Sequence, residues 1–338
     1  MRIRELNLDD AAEIHSFYTV FRDAELAENA DRPVWHEEVM AAHFLSPAED
    51  EDALAFAAFD DDTDGRLVGA AFVFYPLLDN TAKTYTGVFV APQERGRGIG
   101  SALVEHVVER VRADGRTVIL GEATYGFDRR DDHPYRRFAE RRGFAVASTE
   151  VVRRLDLPVP EARIQEWLDE AAPFHRDYRI AAFVDGTPDE LLPSVCSVVN
   201  QLALDAPTGD IDMEAEQITP EIRRAHDERN KLAGLTRYET VAIDATGSAV
   251  AVTTLVLHRS DPQKAHQWAT IVQREHRGHR LGLAVKAHNL RAVQRDHPEC
   301  TLVSTCNEEH NDPMVGINER MGFVPVELLV ELQRKLDR

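Results

Sequence analysis

The sequence predicts an α/β protein made of two similar domains in tandem, each a mixed, mostly antiparallel sheet flanked by helices. Three observations carry this prediction. The order of strand-forming and helix-forming segments in residues 1–157 recurs in residues 176–338, and each copy has a glycine-containing loop between a strand and a long amphipathic helix. Each copy also closes on a Gly-Phe pair, at 143–144 and 322–323. The intervening residues 158–175 begin with prolines and predict a linker helix.

Composition limits the kinds of protein that this chain can be. Its 338 residues include 39 basic and 59 acidic side chains, a net charge of −20, which argues against a nucleic-acid partner and weakly favours a cationic substrate. No apolar run is long enough to predict a membrane span or a signal peptide. Three cysteines predict no disulfide scaffold and a reducing cytoplasm. Arginine far outnumbers lysine, a usage typical of high-GC bacterial coding.

The spacing of apolar residues predicts the elements of the first copy in order. Ile3 and Leu6 mark a short strand, and Asp9 or Asp10 caps a helix that contains Phe17. The predicted elements that follow are a hairpin at 54–59 and 67–75 with an acidic turn at 60–65, a strand at 86–90, a long helix ending near Gly115, a strand at 117–121 and a helix before Gly143.

The second copy repeats this order. Its predicted elements are a strand at 178–184, a helix at 191–199, a hairpin at 238–243 and 249–257, a strand at 268–272, a helix through Val293, a strand at 301–305 and a helix before Gly322. In the linker, Ile164, Trp167 and Leu168 form a short apolar stripe, which we expect to pack across the two domains.

The loop in the first copy has the chemistry of a diphosphate site. Residues 95–100 read RGRGIG and lie between a predicted strand and a predicted helix. A helix N-terminus offers unpaired N–H groups and a partial positive charge, and glycines let a phosphate approach the backbone. Arg95 and Arg97 add full charges. A tight structural turn is the alternative reading of the same glycines.

Two familiar nucleotide motifs do not match this loop. A phosphate-binding loop of the nucleotidase type requires Gly-Lys-Ser/Thr, which is missing here. The glycine spacing also differs from the dinucleotide fingerprint, and the preceding strand follows an antiparallel hairpin instead of opening a βαβ unit.

The loop and its surroundings resemble the GNAT superfamily of N-acetyltransferases. Residues 93–100 read QERGRGIG and contain the family motif Q/R-x-x-G-x-G/A, with Arg95, Gly98 and Gly100 in the defining positions. The order of elements around the loop and the closing Gly-Phe agree with the family as well. The resemblance extends over nearly the whole chain as two tandem copies.

The resemblance implies that acetyl-CoA lies in a V-shaped opening between the fourth and fifth strands of a copy. A substrate amine would then attack the thioester directly. The strand backbone would pair with the pantetheine arm, and the loop N–H groups would hold the pyrophosphate. The cofactor-binding residues implied in the first copy are Val88, Phe89, Val90, Arg95, Gly96, Arg97, Gly98, Ile99, Gly100 and Ser101.

The second copy departs from the family pattern. Its loop, residues 277–282, reads RGHRLG, so Arg280 replaces the middle glycine and either crowds a pyrophosphate or binds it. The family often places an asparagine and then a proton-donating tyrosine in the last helix. Asn311 matches the asparagine, but the tyrosine position holds Asn318 here and Ala139 in the first copy. The second candidate cofactor set is Ile271, Val272, Arg277, Gly278, Arg280, Gly282 and Asn311.

Three residues are candidates for proton transfer. Tyr135 lies one turn before the family's tyrosine position and is a candidate acid, with packing as the alternative role. Glu122 follows the fifth strand of the first copy and is a candidate base, and Glu308 occupies a similar place in the second copy. Each glutamate has a solvated loop position as its alternative. His276 and His279 have no further ligands at a recognisable spacing, so we expect no metal site.

These observations predict an acyl-CoA-dependent N-acyltransferase that acetylates a primary amine of a small molecule, with acetyl-CoA as cosubstrate. The first copy keeps every loop glycine and is the predicted cofactor site. We expect a cytoplasmic monomer or homodimer that binds no nucleic acid and no membrane. A cysteinyl amine and an aminoglycoside-like polyamine both remain open as acceptors. The alternative function is a catalytically degenerate CoA-binding sensor or scaffold.

Overall fold

The computed structural model describes residues 1–46, 48–61, 65–205 and 209–337, and the side chains of residues 203 and 205 are not described. Residues 62–64 of the predicted acidic turn and residue 338 of the predicted second domain therefore lie outside the described part. The chain divides into two compact units. The first contains residues 1–149, 209–211 and 328–338, and the second contains residues 150–208 and 212–327.

The predicted strands and helices occur in the predicted order, together with five elements that were not predicted: helices at 37–45, 202–205 and 220–232, and a strand after each Gly-Phe pair. The strands are β1 (Arg2–Glu5), β2 (Glu51–Asp60), β3 (Arg66–Pro76), β4 (Lys83–Val90), β5 (Val118–Tyr125), β6 (Ala145–Asp156), β7 (Arg179–Val184), β8 (Leu235–Ile243), β9 (Ala249–His258), β10 (Asp261–Val272), β11 (Leu302–Glu308) and β12 (Val324–Lys335). The helices are α1 (Ala11–Glu25), α2 (Glu37–Leu45), α3 (Ile99–Ala113), α4 (Pro134–Glu140), α5 (Glu161–Ala171), α6 (Leu192–Val199), α7 (Leu202–Asp205), α8 (Pro220–Leu232), α9 (Leu281–Asp296) and α10 (Asp312–Met321).

Capping and apolar spacing account for the helices of the first unit. Asp10 caps α1 by accepting hydrogen bonds from the N–H groups of Ala12 and Glu13. In α3, Leu103, Val107 and other apolar residues at helical spacing are buried, which holds the helix against the sheet. The helix ends before Gly115, which adopts a left-handed conformation at φ 76°, as the sequence predicts.

The sheet of the first unit has the strand order β1-β2-β3-β4-β5-β12. Neighbouring strands are antiparallel except β4 and β5, which are parallel. Apolar side chains from α1 and α2 pack on one part of this sheet, and those from α3 pack on another. The predicted fold class, a mixed and mostly antiparallel sheet flanked by helices, is confirmed for this unit.

The second unit has the same arrangement. Its strand order is β6-β11-β10-β9-β8-β7, and β10 and β11 form its parallel pair. The long helix α9 takes the place that α3 has in the first unit, and most of its residues are buried. The duplication predicted from the sequence is therefore present as two sets of six strands with matching orders.

The units differ from the predicted limits 1–157, 158–175 and 176–338 because the copies exchange their last strands. Residues 328–335 of β12 pair with β5 in the first unit, while residues 150–156 of β6 pair with β11 in the second. Both segments follow a Gly-Phe pair and are strand-forming, so their local sequences do not specify a partner. The predicted limits remain a proposal for where each sequence repeat begins and ends.

The linker segment forms α5 and belongs to the second unit. Ile164, Trp167 and Leu168 are buried in the same apolar core as residues of α9. Gln294 of α9 exchanges hydrogen bonds with the backbone of Val159, at 2.8 and 3.0 Å, which ties the start of this segment to the unit. The apolar stripe predicted for the linker thus packs inside one unit.

Candidate functional site

The parallel strands β4 and β5 separate halfway along their length. Their pairing runs from Lys83 beside Val118 to Thr86 beside Gly121 and ends there. Beyond this point, β4 continues to pair with β3 and β5 with β12. A gap between the strands therefore opens toward their carboxyl ends, as the family resemblance implies.

This gap leads into a cavity of about 660 Å3 within the first unit. Six parts of the unit line it: the end of α1 with the segment that follows it, the end of β4 with the following loop, the first turns of α3, the separated part of β5, the helix α4 with the residues after it, and β12. The lining residues from the predicted site are Val88, Phe89, Val90, Arg95, Gly96, Gly98, Ile99, Gly100, Ser101, Glu122 and Tyr135.

The loop between β4 and α3 is shaped by glycines with positive φ. Gly96 has φ 81° and Gly98 has φ 83°, a region that L-residues rarely adopt. No atom lies within 4 Å of a Cβ built at either position, so the backbone there is open on that side. Gly98 is the N-cap of α3, and the first turn of that helix directs its N–H groups at the cavity.

The two arginines of the loop have different surroundings. Arg97 does not line the cavity; it donates to Asp60 at 2.9 Å and also pairs with Glu94. Arg95 lines the cavity and donates to the hydroxyl of Tyr135 at 2.9 Å. Of the pair, Arg95 is therefore the one whose charge faces the site.

Tyr135 presents its hydroxyl to the cavity from the first turn of α4. Burial raises its pKa more than the Arg95 guanidinium lowers it, so the phenol is protonated at neutral pH. Because Arg95 donates to the oxygen, the phenol proton is directed elsewhere, and a hydrogen bond to the Glu28 carboxylate also raises the pKa of Tyr135. Ala139, at the position where the family has its tyrosine, also lines the cavity.

Acidic side chains collect at the end of the cavity formed by α1 and β5. Glu122 lies within β5, not after it, and lines the cavity together with Glu25 and Glu28, which the sequence analysis missed. Nothing in the local sequence marks these two residues, because only the packing of α1 on the sheet brings them to β5. Arg32 connects the elements by donating to the Glu25 carbonyl at 2.6 Å and to the Thr124 carbonyl at 3.1 Å.

A buried histidine lies behind this acidic end. His133 is stacked on Tyr125, with ring centroids 4.2 Å apart, and its Nε2 is 3.6 Å from a carboxylate oxygen of Glu28. Its Nδ1 accepts a hydrogen bond from the Tyr135 N–H at 3.3 Å. Burial lowers the pKa of His133, so the ring is neutral and carries its proton on Nε2, toward Glu28.

The corresponding loop of the second unit is closed by the end of α5. Arg280 adopts a left-handed conformation at φ 53° in the N-cap position, and its guanidinium pairs with Glu170 and lies 4.3 Å from the Phe174 ring centroid. Arg320 pairs with the same carboxylate. Nδ1 of His279 lies 3.0 Å from the carbonyl oxygen of Phe174. A carboxylate of this unit therefore already pairs with the arginine that could bind a phosphate.

The gap between β10 and β11 also contains buried polar side chains. The two strands pair up to Gln267 beside Thr305 and then separate. Lys286 corresponds to Val104 by position after the loop, and Asn318 corresponds to Ala139 by position before the Gly-Phe pair. Lys286 donates to Asn318 at 2.8 Å, and Asn318 donates to Asn307 just beyond the last strand pair.

The other predicted residues of the second copy serve local structure. Ile271 is 4% exposed and packs in an apolar core, and Asn311 caps α10 by accepting from the Met314 N–H. Glu308 belongs to the second unit and accepts from the His310 N–H at 2.6 Å. Gly278 keeps the positive φ of its counterpart Gly96, while Val272, Arg277 and Gly282 lie on or beside the closed loop.

Two searches of the described chain concern metals and membranes. Within residues 1–46, 48–61, 65–205 and 209–337, no three His, Cys, Asp or Glu side chains are arranged to hold a metal ion. In that same part of the chain, no helix combines the length and the apolar character needed to cross a membrane.

Comparison with known proteins connects the first unit to a known family. The model of the acetyltransferase (GNAT) family matches residues 14–144, the part of the chain that builds most of the first unit's site. The family and its fold are those of acyl-CoA-dependent N-acetyltransferases. The comparison with curated proteins returned no match.

Solved structures extend the likeness to both units. A tandem GNAT protein from the clavulanic acid biosynthesis pathway is 25% identical, with a TM-score of 0.77 over 100% of this chain and 99% of that one. A GCN5-related N-acetyltransferase from Sphaerobacter thermophilus is 16% identical, with a TM-score of 0.65 over 100% of this chain and 96% of that one. Residues 14–144 thus match the GNAT family model, and the whole chain has the fold of a tandem GNAT protein.

A third structure shares the fold. It is a GCN5-related glucosamine N-acetyltransferase region of a fungal multi-domain β-N-acetylglucosaminidase, with 16% identity and a TM-score of 0.64. The likeness covers 98% of this chain and 38% of that one. At this identity it supports the fold alone.

Proposed function

We propose that this protein transfers an acetyl group from acetyl-CoA to a primary amine of a small molecule, and that the first unit does this work. The observation that carries the proposal is the cavity of that unit. It joins the glycine loop and the gap between β4 and β5 to an acidic end formed by α1 and β5. One end has the chemistry to hold a diphosphate and the other has the chemistry to attract an amine.

The residues present fit acetyl-CoA, which would supply an activated acetyl thioester. Backbone groups of residues 88–90 would pair with its pantetheine arm, and N–H groups of residues 96–101 would hold its pyrophosphate beside Arg95. Both segments line the same cavity, as this assignment requires. Residue 97 contributes its backbone only, since the Arg97 side chain is held by Asp60 and Glu94.

Proton transfer is assigned to the side chains at the acidic end and on α4. Glu122 accepts the proton that a substrate ammonium must lose before its nitrogen can attack. Tyr135 donates a proton to the departing thiolate, and the Arg95 guanidinium stabilises the resulting phenolate. A thiol has a pKa of about 8.5, so water can replace this donor at modest cost.

The second unit is assigned a supporting role. Glu170 forms ion pairs with both Arg280 and Arg320. The polar side chains of Lys286, Asn318 and Asn307 lie where the first unit has apolar lining residues. These contacts oppose cofactor binding there. The proposal further places the enzyme in a bacterial cytoplasm as a monomer or homodimer, with no nucleic acid, membrane or metal partner.

A matched pair of variants tests which unit binds acetyl-CoA. Gly96→Glu and Gly278→Glu place the same side chain at equivalent loop positions, where φ is 81° and 87° and the surrounding space is open. The backbone strain, about 1–2 kcal/mol, is therefore similar in both. In calorimetric titrations we expect one equivalent to bind wild type and Gly278→Glu, and none to bind Gly96→Glu.

Other results would contradict the assignment. Loss of binding in Gly278→Glu alone would move the site to the second unit and make Arg280 a phosphate ligand. Two equivalents in wild type would mean that both units bind. Absence of binding in wild type would overturn the transferase proposal itself.

A CoA-binding sensor or scaffold is the second candidate function. The observation that favours it is the occupation of both tyrosine positions by Ala139 and Asn318. A sensor binds acetyl-CoA without releasing CoA when amines are added, whereas an enzyme releases the thiol faster. Thiol release with a panel of amines separates the two functions.

A further inference from the structure

A row of aromatic rings leads from the wall of the cavity to the protein surface. Phe89 lines the cavity, and its ring centroid is 5.6 Å from that of Phe72 on β3. Phe72 lies 6.2 Å from Trp35, with ring planes only 13° apart. Trp35 is also stacked on His43 at 5.2 Å and 14°.

A glycine in β4 makes room for this row. Gly87 pairs with Phe72 in the sheet, and a Cβ built there would lie 2.6 Å from the Phe72 ring and 2.5 Å from the Phe89 ring. Any larger residue at this position would push the rings apart. The contact between the Phe89 ring and the Phe72 ring therefore requires that residue 87 has no side chain.

The outer end of the row lies on the segment that also forms the acidic end of the cavity. Residues 26–36 connect α1 to α2, and they include the lining residues Glu28 and Arg32 as well as Trp35. The Trp35 residue is 41% exposed, although it is stacked on two rings. An exposed indole in a fixed orientation offers a flat apolar surface, and this one belongs to the same segment as the lining carboxylate of Glu28.

We infer that the acceptor is an amine joined by a short chain to a flat apolar group, and that Trp35 and Phe72 bind that group. The inference rests on the proposed function, because it concerns the amine that reaches the first unit's cavity. The amino group enters between Glu28 and Glu122, and the flat group stays on the aromatic row. Trp35 thus selects the substrate and takes no part in the chemistry.

The charges of the cavity support an amine with an apolar part over a polyamine. Of the lining carboxylates, Glu94 is already paired with Arg66 and Arg97, and Glu25 is paired with Arg32 at 3.4 Å. The second amino group of a polyamine would contact the aromatic row. A planar apolar group at that place buries more apolar surface than an amino group does. Apolar contact is worth about 10-fold to 200-fold in selectivity between related substrates.

The test compares 2-phenylethylamine with putrescine on wild type, Trp35→Ala and Trp268→Ala. Trp268 is a matched control because it is 47% exposed and lies in the second unit. We expect Trp35→Ala to raise KM for 2-phenylethylamine by about tenfold or more with kcat little changed. Its kinetics with putrescine, its affinity for acetyl-CoA and its melting temperature should match wild type, and Trp35→Phe should restore most of the lost affinity.

Binding of the amine alone is measured by tryptophan fluorescence. The chain has three tryptophans, of which Trp167 is buried, so quenching by 2-phenylethylamine that disappears in Trp35→Phe but not in Trp268→Phe reports contact at Trp35. Equal use of both amines by wild type, or equal effects of Trp35→Ala on both, would overturn the inference. Failure of acetyl-CoA to bind would instead refute the proposed function, and the fluorescence titration would still decide whether the amine site exists.

Discussion

Lys286 shows how a single residue makes a position of the second unit polar where the equivalent position of the first unit is apolar. The equivalent residue of the first unit, Val104, lines the cavity, whereas Lys286 is 2% exposed and bonded to the amide oxygen of Asn318. Its Nζ lies 5.1 Å from the Phe323 ring centroid. Burial lowers its pKa from 10.5 to about 7, because water no longer stabilises the ammonium.

This shift predicts a pH dependence of stability. Between about pH 7 and pH 10 the unfolded chain keeps the lysine proton while the folded chain has lost it, so the free energy of unfolding rises with pH. The rise has a limit of about 1.4 kcal/mol per pH unit. Urea unfolding across this range should show it in wild type and not in Lys286→Met. The exposed Lys231→Met variant is the control, and a similar slope in Lys286→Met would contradict the assignment.

At the scale of the element, α8 is held to β8 by a buried ionic network. Glu239 of β8 is 1% exposed and accepts from Arg223 of α8, from Thr187 and from Thr254. Arg237 of β8 pairs with Asp227 of α8. Although burial raises the pKa of Glu239, the charges of the two arginines hold it below its ordinary value.

Removing the central charge of this network should destabilise the second unit. Glu239→Gln keeps the shape of the side chain but leaves two buried guanidinium groups with one carboxylate, and we expect a loss of about 3–5 kcal/mol. Thermal unfolding measures the effect. Glu166→Gln, which removes one partner of an exposed pair with Arg163, should change stability by about 1 kcal/mol or less. Equal effects of the two variants would show that the network contributes no more than a surface pair.

At the scale of the whole molecule, the exchanged strands make each unit depend on distant parts of the chain. Leu332 of β12 lines the first unit's cavity, although the glycine loop and β5 come from the N-terminal half of the sequence. Residues 150–156 likewise complete the second sheet. Long separations of this kind raise the entropic cost of bringing paired strands together.

Removing the last strand should therefore damage the first unit. A chain ending at residue 323 loses the partner of β5 and part of the cavity wall, so we expect it to lose acetyl-CoA binding. A chain ending at residue 335 keeps β12 and should bind normally. Near-ultraviolet circular dichroism from the buried Trp167 reports on the second unit and should persist. Binding by the shorter chain would contradict a structural role for β12 in the first unit.

Local patterns in the sequence determined the class of fold, the order of the elements and the position of the glycine loop. Helical spacing, the cap at Asp10 and glycines such as Gly96 and Gly98 act over a few residues, so their effects can be read without knowing the fold. The gap between β4 and β5 was predicted from the family resemblance, which rests on these patterns.

Only the tertiary structure decided which side chains meet. Arg95 and Arg97 have the same chemistry and nearly the same place in the sequence, yet packing directs one into the cavity and the other to Asp60 and Glu94. Glu28, in the segment after α1, and Glu170, in α5, gained their positions from parts of the chain that approach from elsewhere in the sequence. The strands that pair with β6 and β12 could not be predicted from the sequence either. Strand pairing is a non-local interaction, and both segments have similar local sequences.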